Sequence, residues 1–118
     1  MNGSHYPIKR PHSTYRIPTE LRQLIDGCKF WVANKTYEAD ELAARFHHKL
    51  VWVHAYPNGN GRHARLATDL LLMSLGLDPF TWGSVNLVDP SETRRRYIDA
   101  LRDADNHNIE PLLAFVRS

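Results

Sequence analysis

The chain has 118 residues, 42% of them hydrophobic and 24% charged, with a formal net charge of +2. That length supports one domain with one modest core, and that composition excludes a disordered or fibrous chain. The charge is too small to argue for nucleic-acid binding, no apolar run approaches the length that crosses a bilayer, and the single cysteine, Cys28, allows no internal disulfide.

Residues 1–14 read as irregular, because Gly3, Pro7 and Pro11 interrupt any periodicity. No apolar segment follows the few charges there, so they form no secretory signal, and a one-cysteine chain fits a reducing cytoplasm. Residues 15–17 read as a short extended stretch. A helix then opens at Pro18, Thr19 and Glu20, with proline preset for a first turn and early acidic charge favouring the start. Leu21, Leu24, Ile25 and Cys28 share its buried face, continued by Trp31 and Val32. Cys28 reads there as a small hydrophobe rather than a nucleophile. Asn34, Lys35 and Thr36 form the break.

The pattern predicts a second helix over 39–53, with Leu42, Phe46, Leu50 and Val53 as its apolar stripe. A third helix is predicted over 62–75, with Leu66, Leu70 and Met73 as the core face and Gly76 at the exit. Residues 79–88 read as a loop carrying Phe80 and Trp82. Asp89 caps a fourth helix with Pro90 at its first position and Glu92 in its first turn. Tyr97, Ile98, Leu101 and Ala104 face inward from it. Residues 106–108 break that helix, and 110–116 form a last short one. The expected class is all-α, with at most a small β-hairpin near the N-terminus.

The informative segment runs from His54 to Arg65: a helix end, a glycine-rich turn and a helix that begins with basic residues. Gly59 and Gly61 can take positive φ, letting successive backbone N–H groups point into one concavity. The following helix adds unsatisfied N–H groups and the positive end of its dipole. Arg62 and Arg65, three apart, lie along one side. Together these suit a multiply charged anion such as a di- or triphosphate, and His54 stands where it can accept a proton from a hydroxyl. The bland alternatives are a histidine capping carbonyls and arginines paired with surface carboxylates.

This segment resembles the signature of the Fic/Doc family, His-x-Phe-x-(Asp/Glu)-Gly-Asn-Gly-Arg-x-x-Arg, matched at His54, Gly59, Asn60, Gly61, Arg62 and Arg65, with Tyr56 in place of phenylalanine. The stretches around Ile17, Arg45 to Trp52, Phe80 to Gly83 and Pro111 to Phe115 are similar to a bacterial branch called mobile mystery protein B. The resemblance implies a Fic-type helical domain over 15–118 and transfer of AMP, or another phosphate-containing group, from ATP to a Ser, Thr or Tyr hydroxyl of a protein. It implies His54 as general base, Gly59, Asn60 and Gly61 as the anion hole, Arg62 on an inner phosphate and Arg65 on the terminal one. Residues Tyr15, Arg16 and Ile17 would be the remnant of a β-hairpin flap that aligns the target.

Two departures qualify that picture. Asn58 stands where the family places an acidic magnesium ligand, which weakens the expectation of bound Mg2+ or Mn2+. The chain is also short on its N-terminal side, and it lacks the family's inhibitory Ser/Thr-x-x-x-Glu-Gly/Asn motif, so restraint would fall to a partner chain or to the missing segment. The alternative is a catalytically weak nucleotide-binding or toxin–antitoxin interaction domain. Elsewhere, adjacent His47 and His48 diverge on a helix and make a poor zinc site. The basic run Arg94, Arg95 and Arg96 is interleaved with acids and reads as a solvated, ion-paired face, with no nucleic-acid or membrane role.

Overall fold

The computed structural model describes residues 17–53, 60–86 and 89–118. Among these residues the helices are, in order, α1 (Ile17–Asn34), α2 (Ala39–Val53), α3 (Asn60–Ser74), α4 (Pro90–Asp105) and α5 (Glu110–Val116), with a 3₁₀ turn at Ser84–Asn86. No strand occurs among the described residues, so the all-α expectation holds. No described helix is long and apolar enough to cross a membrane.

Helix α2 is the central element, packed on α1, α3 and α5. It buries Leu42, Ala43, Ala44, His47, Val51 and Val53, which is more than one stripe. The two alanines let neighbouring backbones approach closely. Leu72 from α3, Tyr97, Ala100 and Leu101 from α4, and Leu112, Phe115 and Val116 from α5 complete one core with Phe80 from the connecting loop.

Three helices end alike. Lys35, Gly76 and His107 take positive φ, at 51°, 80° and 67°. In each case the next residue's N–H reaches back to the helix: Thr36 to the Trp31 carbonyl, Leu77 to Leu72 and Asn108 to Asp103. These are Schellman stops, which use up carbonyls the helix leaves unpaired. Only one of the three positions is glycine, so the left-handed conformation itself was legible only at Gly76.

Asp89 caps α4 as expected, accepting from the Ser91 N–H at 3.0 Å. The loop before α4 is fixed by Asp69, whose carboxylate accepts from the Phe80 N–H and the Trp82 indole, both at 3.1 Å. A Cβ at Gly83 would lie 2.8 Å from Phe115 Cε1, so only glycine fits there, with φ at +80°. Arg117 closes the fold by a two-pronged pair with Asp40 at the start of α2, at 2.9 and 3.1 Å.

Three expectations need correction. Ile17 opens α1 rather than ending an extended stretch, because Pro18 presets the first helical turn one residue beyond it. On α1 the inward face is Leu24 and Cys28, while Ile25 and Val32 are exposed. On α3 the expected core face is turned outward: Leu66, Leu70 and Met73 are 59%, 56% and 55% exposed. The buried face is instead Ala64, Thr68 and Leu72, spaced four apart and set against α2.

Candidate active site

Helix α3 begins at Asn60, two residues before its sequence-predicted start. Asn60, Gly61 and Arg62 therefore open its first turn, where backbone N–H groups lie ahead of the helix's own carbonyl ladder. Gly61 is helical, not a positive-φ hinge as expected. The helix reaches back over it. His54, Asn58 and Gly59 lie outside the described residues, as do Tyr15 and Arg16.

Arg62 is exposed and Arg65, one turn on, is half-buried. The Arg65 guanidinium carbon lies 5.3 Å from the centroid of the Tyr97 ring, a cation–π contact. Beside it a hollow of about 270 Å³ is lined by Arg65, Arg94, Thr93, Trp82, Tyr97 and Phe115. Amides, a helix dipole and two permanently charged guanidiniums are thus collected at one end of α3. That set attracts an anion.

Its fit to a metal is poor. Residues 54–65 contain no carboxylate, and Asn58 offers only a neutral carbonyl oxygen. Among the described residues no group of three or more His, Cys, Asp or Glu side chains could hold a metal ion. His47 and His48 do diverge: His48 Nε2 meets Asp105 at 2.7 Å, while His47 points into the core.

Directly beneath Arg65 lies a buried polar chain. Thr68 Oγ1 donates to the Ala64 carbonyl at 2.7 Å, which uses its only proton. It can therefore only accept from His47, whose Nδ1 is 3.3 Å away. Nδ1 carries the imidazole proton, and Nε2 accepts from the Tyr97 hydroxyl at 2.7 Å. Burial lowers the His47 pKa to about 3, with the Ala64 carbonyl pulling the other way. Burial raises the Tyr97 phenol to about 12 against the opposing charge of Arg65. The imidazole and the phenol are both neutral in the folded protein. Burial also raises the Cys28 thiol, in keeping with a packed hydrophobe rather than a nucleophile.

The sequence reading weighed His47 only as a metal ligand and took Tyr97 as a plain core residue. A signal was present in the four-residue spacing of Ala43, His47 and Val51, a second stripe on α2 that includes one polar member. Thr68 in the otherwise apolar row of Ala64 and Leu72 is its counterpart on α3.

The family model described as the Fic/DOC family matches residues 3–72. A protein adenylyltransferase Fic from Nematostella vectensis is 31% identical over 102 residues, which cover 84% of this chain and 22% of that protein. Protein adenylyltransferase fic-1 from Caenorhabditis elegans is 32% identical over 109 residues, covering 90% of this chain and 19% of the other. A solved structure of a singly substituted segment of C. elegans Fic-1 superposes with a TM-score of 0.67 at 31% identity, over 92% of this chain and 31% of that one. The chain therefore spans about a fifth of the length of these curated relatives. A match of this extent across residues 3–72, carried on a superposable helical fold, places the chain in the Fic/DOC family.

Proposed function

We propose that this chain is the nucleotide-handling part of a Fic-type transferase that moves AMP from ATP to a hydroxyl on a protein. The observation that carries the reading is the first turn of α3, where the start of the helix and Arg62 are brought together, with Arg65 one turn behind. The relatives named above are called adenylyltransferases, which supplies the donor and the group transferred.

In this reading the amides at the start of α3 receive the phosphate oxygens, Arg62 pairs with an inner phosphate and Arg65 with the terminal one. His54, which directly follows the last residue of α2, takes the proton of the attacking hydroxyl. The hydroxyl oxygen forms a bond to the α-phosphorus. The bond from that phosphorus to the bridging oxygen breaks, and pyrophosphate leaves with the electron pair. The guanidiniums offset the negative charge that gathers on the leaving group. A divalent ion, when bound, would supply further neutralisation of the phosphates, held mainly by the nucleotide itself because residues 54–65 lack a carboxylate. The target is a protein bearing a Ser, Thr or Tyr hydroxyl, and the single buried cysteine is in keeping with a reducing compartment.

The test is incubation of the chain with α-labelled ATP, Mg2+ or Mn2+ and a cell lysate. Protein-bound label that disappears with His54→Ala supports the reading; equal labelling by that variant removes His54 from the chemistry. Asn58 favours a second reading, a domain that binds nucleotide and turns it over poorly. That reading predicts ATP binding that ignores Mg2+, with no label transferred, and a gain in Mg2+ dependence for Asn58→Asp.

A further inference from the structure

Arg65 is asked to place a long, flexible guanidinium at a fixed point, which costs rotamer entropy unless the protein holds it. The structure shows what it rests on. Its guanidinium lies over the face of Tyr97, and that ring is pinned at its far end by the 2.7 Å hydrogen bond from its hydroxyl to His47 Nε2. Phe115 at 5.6 Å and Trp82 at 6.4 Å flank the same ring. His47 is fixed in turn by Thr68, itself bonded one turn back to Ala64, the neighbour of Arg65 on α3. The chain of contacts starts and ends on α3. It closes through α2 and α4, so the arginine's platform is tied to the helix that carries the arginine.

We propose that Tyr97 and His47 are positioning residues for Arg65: they hold its guanidinium where it meets the terminal phosphate of a nucleoside triphosphate. This rests on the reading of Arg65 as a phosphate ligand. Four polar groups in one directed line, each with a partner, amount to more than is needed to fill a core. An apolar trio of the same shape would pack as well without requiring one tautomer and one ring orientation. The arrangement accounts for a fully buried histidine and a buried threonine where His47 of α2, Thr68 of α3 and Tyr97 of α4 come together beneath the arginine.

The experiment is calorimetric titration of the whole chain with ATP and with ADP, at a temperature well below each variant's melting point. Arg65→Ala is expected to reduce the ratio of ATP to ADP affinity by about tenfold. Tyr97→Phe keeps the ring but frees it from His47, and should reduce that ratio by about threefold. Tyr97→Leu removes the platform and should approach the Arg65→Ala value. Combined with Arg65→Ala, neither Tyr97 change should lower the ratio further. A general loss of structure would weaken both nucleotides alike and leave the ratio where it was.

If Arg65→Ala leaves the ratio unchanged, the phosphate role of Arg65 is wrong and this inference falls with it. If Arg65→Ala lowers the ratio while both Tyr97 variants keep it, the phosphate role stands and the positioning role is overturned. Nitrogen NMR of the unaltered protein keeps the test sharp should a variant not fold. His47 should show a protonated Nδ1 and a bare Nε2, unchanged from about pH 8 to about pH 5. A protonated Nε2 would reverse the line of donors and contradict the proposal.

Discussion

On one face of α3, Thr68 is buried against His47, with Tyr97 on the other side of the imidazole. On the opposite face, Leu66, Leu70 and Met73 are each more than half exposed. A polar threonine is inside, beside Ala64 and Leu72, while three large apolar side chains are outside. The comparison teaches that helical periodicity identifies a stripe but not what the stripe meets. Small Ala64 and polar Thr68 face α2 because α2 presents alanines and a histidine there, leaving close-packed space and one hydrogen-bonding partner. The outer leucines line, with Leu21, Leu24, Ile25, Phe46 and Leu50, an apolar hollow of about 330 Å³.

The contrast can be broken most forcefully at Leu72, which is fully buried on the inner face. Leu72→Ala should cost about 2–5 kcal/mol of stability, read from denaturant unfolding. A cost near zero would mean that the inner face is not the packed one. Acid is the next lever. His47 holds a pKa of about 3 when folded against 6.5 as its ordinary value, so the unfolded chain takes up the proton first. The stability this contributes is complete above about pH 6.5 and is lost as pH falls toward 3, at roughly 1 kcal/mol per pH unit. Unfolding curves at stepped pH should show that slope in the native chain and a shallower one in His47→Gln.

Smaller effects sharpen the comparison. Asp89→Ala removes the cap on α4 and should cost about 1 kcal/mol, read from denaturant unfolding. Leu70→Ala on the outer face should change stability by no more than about 0.5 kcal/mol. If Leu70→Ala instead costs as much as Leu72→Ala, the outer stripe is covered in the folded protein and the two faces are equivalent.

Much of the architecture was legible in the residues. The boundaries of α2 and α5, the Asp89 cap with Pro90 behind it, the Gly76 stop and the ion-paired face around Arg95 all follow from local chemistry, and all are present. Local signals of this kind act within one turn, so neighbouring residues report them. The inward face of α3 was not legible, because it depends on α2, which is packed on three sides. The breaks at Lys35 and His107 were legible from their polar runs, but their positive φ was not, because a non-glycine residue takes it only where the surrounding contacts hold it. Of the candidate site, Asn60, Gly61, Arg62 and Arg65 were picked out by the sequence, and the fold sets all four in the first two turns of α3. Its buried support was not picked out, since His47, Thr68 and Tyr97 are 21 and 50 residues apart along the chain and meet only in the fold.

The central claim is that the first turn of α3 is the seat of a nucleotide's phosphates. Its most direct test is backbone amide NMR of the chain titrated with ATP and, separately, with adenosine. The claim predicts that ATP shifts the amides of Asn60, Gly61 and Arg62 most strongly and that adenosine leaves them in place. Shifts from ATP that fall elsewhere and spare those three amides would contradict it.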